Sequence, residues 1–326
     1  MNESSQSLLS FMQEQSGKIL GQLLEHIGLT FMSLVIAISI GVPLGIVIAK
    51  NRKFSGPVLG LVGVLQTIPS IALLGFLIPF LGIGPKPAIA ALFLYALLPI
   101  VRNTFTGITG VEATVVEAAK AMGMTGRQIL GKVELPLSLP VILAGIRTAT
   151  VINVGVATLA AYIAAGGLGE FIFGGIALNN TNMILAGAIP AALLAVLLDF
   201  ILSRVQHIRL SSLRKGIWMV PAGLVLLSSF YLLPGFYGSK LLAGFTPEFM
   251  GREDGYLGLQ KVYRLHVRNV VISDAVMYKA AYEKKLDIIS GYSTDGRLKA
   301  FGLVVLKDDR HLFPPYFVAP VIRKEV

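Results

Sequence analysis

Long uninterrupted runs of apolar residues constrain this 326-residue chain more than any other feature. A helix needs about 20 such residues to cross the hydrocarbon core of a bilayer. Candidate spans lie at 27–49, 57–81, 87–106, 136–165, 183–205 and 217–236. Pro43, Pro69, Pro79, Pro99, Pro140 and Pro190 fall inside them. In a bundle, neighbouring helices re-satisfy the backbone groups that a proline frees, so kinked spans are acceptable. Gly- and Ala-rich stretches such as ATLAAYIAAGGLG suit close helix–helix approach. With 54% hydrophobic and 14% charged residues, the chain is too apolar for a soluble domain of this length. The expected fold is an all-α polytopic membrane domain of about six spans.

Loop charges give an orientation. The loops after the first, third and fifth spans hold Lys50, Arg52 and Lys53, then Lys120, Arg127 and Lys132 with Arg102 near the end of the third span, then Arg204, Arg209, Arg214 and Lys215. The other side holds Lys18 and Lys86 before the tail. Cytoplasmic loops collect Lys and Arg, which places both the N-terminus and the C-terminal tail outside the cytoplasm. The same distribution accounts for the net charge of +10 without nucleic acid. Residues 1–18 lack the basic start and short apolar core of a cleavable signal. Residues 8–24 have helically spaced apolar positions, which suit either a surface-lying helix or an ordinary pre-membrane helix, and 1–26 is read as an N-terminal amphipathic segment.

No cysteine is present, which excludes disulfides, thiolate nucleophiles and Cys-based metal sites, and the four histidines have no ligand spacing. No nucleophile–base pair is visible, so an enzyme is the weakest reading. Gln66, Ser70 and Asn153 are polar groups inside spans, candidates for either helix–helix hydrogen bonding or a transport pathway. Asp199 is off-centre, and pairing with Arg204 or Arg102 is expected. A passive channel or ion-coupled carrier is disfavoured by the shortage of mid-membrane ionisable groups.

The loop at 112–136 contains EAAKAMGMTGRQILGKVELP from Glu117. Ala118, Ala119 and Met122 offer a small apolar patch beside polar Glu117 and Lys120. Gly123 permits a sharp change of direction, and Leu135-Pro136 opens the next span. This pattern resembles the coupling loop of ABC-importer permeases. The resemblance implies that Glu117, Ala118, Ala119, Gly123, Leu135 and Pro136 take force from a separate ATPase. LQTIPSIALLGFLIPFLGIG at 65–84, ALLPIVRNTFTGI at 96–108 and AGGLGEFIFGGI at 165–176 extend the likeness to the osmoprotectant permeases for glycine betaine, carnitine and choline. From that family follow a homodimer, two ATPase subunits that bind ATP and Mg, no cofactor in this chain and a bacterial inner-membrane location. A related betaine such as ergothioneine is a further candidate substrate.

Residues 27–210 thus form the expected permease domain, and 211–240 a sixth span and linker. Over 241–326 apolar runs shorten and alternate with helical stretches, which suggests a small α/β domain. Strands are expected at 241–246, 267–272, 286–292, 302–307 and 316–322, with helices at 247–264, 274–285 and 294–301. TPEFMGREDGYLGLQKVY, the stretch 277–309 and FPPYFVAPVI resemble one lobe of the quaternary-amine substrate-binding protein. By that resemblance Tyr292 and Tyr316 are aromatic walls for a cationic ligand, with Glu248, Arg252, Thr294 and Asp295 at a cleft edge. Most of the first lobe is expected to be missing. The packed alternative makes Tyr292 a strand residue, Thr294 and Asp295 helix caps, and Arg252 an ion-pair partner. The half receptor could then dock a separate substrate-binding protein or sense osmolytes, in a regulatory or transport-defective protein. A reporter fused after Val326 should be active outside the cytoplasm in a phosphatase assay; activity of a cytoplasm-only reporter there would reverse the orientation.

Overall fold

Without water to satisfy peptide groups, apolar runs close their hydrogen bonds internally as helices. The computed structural model describes residues 7–206 and 241–314. The chain divides into two compact units, Met1–Gly238 and Ser239–Val326.

The first unit begins with α1 (Leu8–Glu14), capped by Ser7, and α2 (Ser16–Lys50). α3 (Ser55–Thr67) and α4 (Ser70–Leu81) follow, then α5 (Pro85–Thr109) and α6 (Ala113–Ala121). α7 (Gly126–Ile129) runs through a π-helical turn (Leu130–Glu134) into α8 (Leu135–Ala157), which ends in a 3-10 segment to Ile163. α9 (Gly169–Ala177) and α10 (Thr181–Gln206) complete it. Among the described residues, four helices are long and apolar enough to span a membrane: Ser16–Lys50, Pro85–Thr109, Gly126–Ile163 and Thr181–Gln206. The run 217–236 and the linker lie outside the described residues.

Three expectations change. The first span does not start at residue 27; α2 is helical from Ser16, so residues 16–26 of the N-terminal segment are part of it. The run 57–81 is not one rod. α3, with the short turn before it, and α4 meet at 96°. Ile68 is extended (φ −65°, ψ 127°), the conformation that the ring of Pro69 imposes on its predecessor. Finally, the fourth span is helical from Gly126 rather than from Pro136. The wider π turn just before Pro136 accommodates the proline's missing N–H and its ring.

α5 is the hub, packed between α2 and α8. Small residues allow the approach. Gly41 faces Ile100, Gly45 faces Thr104, and Gly107 lies on Ser138. At Gly145 of α8 a Cβ would stand 2.7 Å from the Pro99 carbonyl oxygen. Leu34, Ala37, Ala96, Ile100 and Ala149 fill one layer of this core, and Ile48, Val62, Leu97 and Val101 another.

The second unit has a parallel sheet of order β2-β1-β3, from β1 (Leu242–Phe245), β2 (Arg268–Val271) and β3 (Ile288–Ile289). α11 (Pro247–Gly251), α12 (Tyr256–Val262), α13 (Asp274–Tyr282) and α14 (Gly296–Ala300) connect and flank the strands. The expected helix 247–264 is thus interrupted at 252–255, and the strand expected over 286–292 shrinks to two residues. No strand forms at 302–307, where Val304 and Leu306 are 86% and 77% exposed. The run 316–322 lies outside the described residues.

Overpacking a filled core costs about 1–3 kcal/mol. Gly145→Leu should therefore lower the thermal unfolding midpoint of the purified protein by several degrees. Gly21→Ala, inside α2 where nothing lies within 4 Å, should leave it unchanged or raise it slightly.

Candidate functional site

The loop between α5 and α8 is built as a rigid bracket. α6 ends in a Schellman motif: Met124 N–H donates to the Ala119 carbonyl (3.2 Å), and Gly123 N–H donates to Lys120 (2.9 Å). Gly123 takes φ +75°, the left-handed region where a Cβ is strained. Two residues on, Thr125 caps α7 in a capping box with Gln128. Only the four residues Met122, Gly123, Met124 and Thr125 therefore lie between two terminated helical elements.

The proposed coupling residues fall on different sides of this bracket. Ala119 is 2% exposed and packs inward. Val115, Ala118 and Met122 are exposed, at spacing i, i+3, i+7, and make one outward apolar stripe. The patch expected from Ala118, Ala119 and Met122 is thus split, with Val115 taking the place of Ala119. Glu117 is exposed and borders a polar cleft with Lys50, Arg52, Thr109, Lys120 and Glu134. Lys50 donates to the carboxylate of Glu134, which is buried, so the end of α2 is tied to the π turn. Leu135 and Pro136 are half-buried just beyond that turn.

Elsewhere, Gln66 sits in the last turn of α3 and Ser70 opens α4, so they flank the bend. The Tyr95 hydroxyl of α5 donates to the Ile68 carbonyl at that bend and also bonds the Ser70 side chain. Asn153 is fully buried and its Nδ2 donates to Ser33 Oγ of α2 at 3.0 Å. Asp199 does not pair with Arg204 or Arg102. It takes two hydrogen bonds from Arg147 of α8, one of them 2.6 Å from Nη2 to Oδ2. Arg147 is not among the residues expected to pair, yet a lone cation in one span and a lone carboxylate in another form the obvious pair. The capping box was also legible, as Thr-x-x-Gln.

In the second unit Tyr292 is 60% exposed in the loop after β3, and is not a strand residue. Thr294 is exposed beside it and caps nothing; Asp295 is the N-cap of α14, accepting from Arg297 N–H at 2.9 Å. The Arg297 guanidinium holds the Asp295 carboxyl well below the usual range. Glu248 lies in the first turn of α11, and Arg252 pairs with Asp254. Tyr316 lies outside the described residues. No group of three or more His, Cys, Asp or Glu side chains able to hold a metal is found among the described residues.

Residues 41–215 match the family described as binding-protein-dependent transport system inner membrane component. The chain belongs to that family. Residues 235–326 match the substrate binding domain of the ABC-type glycine betaine transport system. The carnitine transport permease protein OpuCB of Listeria monocytogenes is 46% identical over 62% of this chain and 92% of its own length. The osmoprotectant import permease protein OsmW of Salmonella typhimurium is 45% identical over 61% and 94%. Among solved structures, the inward-facing MetNI methionine ABC transporter aligns with TM-score 0.54 and 26% identity, over 63% of this chain and 98% of that one. The chain is therefore a multi-pass inner-membrane permease subunit and not an enzyme. Gly123→Val should cut coupled uptake by about 5- to 30-fold at normal membrane levels, because an L side chain at this φ costs about 1–2 kcal/mol and loosens the bracket. Gly123→Asn, which tolerates the left-handed region, should retain most uptake in the same assay.

Proposed function

We propose that the chain works as the membrane half of an ATP-driven importer for quaternary-amine compatible solutes. The observation that carries this is the doubly terminated bracket, which joins an exposed apolar stripe (Val115, Ala118, Met122) to a helix continuous from Gly126 to Ile163. A stripe of this kind suits an apolar groove on an ATPase subunit. Two such subunits bind ATP and Mg, and a pair of permease chains encloses the path; this chain itself holds no cofactor. A rigid link matters because a flexible one would dissipate displacement before it reached the span.

The substrate class rests on the relatives, whose names cover carnitine, glycine betaine and choline. A permanently charged ammonium is attracted by aromatic faces, which gives Tyr292 a part if the second unit meets substrate. That unit and the N-terminus lie on the extracytoplasmic side in this reading, where a separate substrate-binding protein is a further candidate partner. Gln66 and Ser70, at the bend of α3 and α4, are the better pathway candidates; Asn153 serves helix packing through Ser33.

The test is reconstitution of the full chain with its ATPase in proteoliposomes. Uptake of radiolabelled glycine betaine, carnitine or choline should require ATP and should be lost when the ATPase carries a Walker-A lysine substitution. Methionine and ergothioneine complete the panel. ATP-dependent uptake of methionine alone would overturn the substrate class, and uptake indifferent to ATP would overturn the coupling.

A further inference from the structure

The two halves of α2 meet α8 differently. In the half toward Ser16 the helices touch. The His26 ring bonds the Val154 carbonyl through Nε2 at 3.0 Å, Asn153 Nδ2 donates to Ser33 Oγ, and Leu34 and Ala37 pack with Ala149. The same half holds α9 and the turn before it. Gln22 donates to Glu170 at 2.6 Å, Glu25 accepts from Gly167 N–H at 3.0 Å, and Lys18 lies 5.3 Å from the ring centroid of Phe171. In the half toward Lys50, α5 comes between. Gly41 and Gly45 of α2 lie on Ile100 and Thr104 of α5. On the other side of α5, Gly107 lies on Ser138, and Gly145 of α8 lies on Pro99 and Asn103.

α5 ends at Thr109, and beyond it α2 and α8 come together again through an ion pair. Lys50, the last residue of α2, donates to the carboxylate of Glu134, the last residue of the π turn that opens into α8. The pair borders a cavity of about 270 Å³ that Ile108 and Thr109 of α5 and Glu117 and Lys120 of α6 also line. Arg52 and Lys120 reach the same cavity, but the bond to Glu134 comes from Lys50.

One partner is firmly rooted and the other is not. Ile48 and Ala49, just before Lys50, are buried, and Ile48 packs with Val62, Leu97 and Val101. Glu134 closes a turn in which Leu135 N–H reaches five residues back to the Leu130 carbonyl. Gly131 within that turn has nothing within 4 Å of where a Cβ would stand, so that side is neither packed nor stiffened by a side chain. Such turns are rare in α-helices and concentrate at functional sites. The bracket therefore joins its span through a deformable turn.

The chemistry of the pair favours position over stability. Glu134 is 7% exposed, so its carboxylate has lost most of its water. Replacing a buried ion pair by apolar groups is often neutral or stabilising, whereas a buried charge that loses its partner is costly. The carboxylate thus adds little to the fold but cannot leave Lys50 without standing unpaired.

We propose that Lys50 and Glu134 are positioning residues for coupling. The pair laces the end of α2 to the base of α8 around the end of α5, so that a displacement taken up at the bracket moves α2 together with α8. Without the lace, a push on the bracket opens a gap between α8 and α2 at the π turn while their far halves stay joined. The stroke is then lost to α2, and with it to the turn before α9, which α2 grips through Glu25.

The inference rests on the coupling reading of the bracket for one of its two readouts. Glu134→Leu removes the buried charge and leaves Lys50, whose side chain is 40% exposed, to water. In proteoliposomes with the ATPase, this variant should import at least about fivefold less glycine betaine per ATP hydrolysed than the wild type, the lower end of a typical coupling between sites. Its thermal midpoint should be unchanged or higher. Lys50→Arg, which keeps a cationic donor, should hold the wild-type ratio. A wild-type ratio in Glu134→Leu would overturn the proposal. So would an equal loss in Lys50→Arg, or a collapsed midpoint in Glu134→Leu, which would make the pair a stabilising contact only.

The second readout needs neither ATPase nor transport. The chain has no cysteine, so spin labels attached through Val47→Cys and Leu137→Cys, both at exposed positions, report the gap between α2 and α8. Pulsed electron–electron resonance on the purified full chain should give one narrow distance in the wild-type background and a broader distribution with Glu134→Leu. Equal widths would overturn the lace. Absent ATP-dependent uptake in the wild type, with the distribution still widening in Glu134→Leu, would fault the transport reading and leave the lace standing.

Discussion

The close contact between α5 and its neighbours is the constraint on which the membrane unit depends. In lipid, little hydrophobic force draws apolar helices together, so dispersion and shape must hold them. Gly41, Gly45, Gly107 and Gly145 remove side chains where the backbones meet, and Ala37, Ala91, Ala96 and Ala149 fill the remaining space with no exposure. A helix that is apolar all round would otherwise have no preferred face. The polar contacts sharpen the register: Asn153 to Ser33 joins α8 to α2, and Arg147 to Asp199 joins α8 to α10.

Much of this was legible because it is local. Hydropathy reports a helix from its own residues, and Gly123 with Leu135-Pro136 describes a turn and a helix within one short stretch. What was not legible depends on neighbours. Pro43, Pro99, Pro140 and Pro190 stay inside continuous helices, whereas Pro69 breaks one. Nothing in the sequence around Pro69 marks the difference; Tyr95 does, by supplying a donor to the Ile68 carbonyl that the break releases. Likewise Lys18, Gln22, Glu25 and His26 read as part of an N-terminal amphipathic segment, because their partners on α8, on α9 and in the turn before α9 are more than a hundred residues away.

The second unit illustrates the opposite error. Residues 302–307 have the composition of a strand, but composition does not supply a pairing partner, and they add to neither outer strand of the three-stranded sheet. β3 is only two residues long, which leaves Tyr292 on an exposed loop rather than in a ladder. The site residues expected there follow from likeness to a whole receptor. Their observed partners, Asp254 for Arg252 and Arg297 for Asp295, are contacts within this short unit.

Gly145 stands 19 residues from Gly126 and 18 from Ile163, near the middle of the long helix and at one of its tightest crossings. At 1.5 Å per residue each arm is about 27–29 Å. A stiff rod held at its midpoint behaves as a see-saw. A sideways push on the end at the bracket emerges at the far end with similar size and opposite direction, next to the turn that leads into α9. Force and response would then differ in sign but hardly in amplitude, and the crossing at Pro99 and Asn103 would act as the fulcrum.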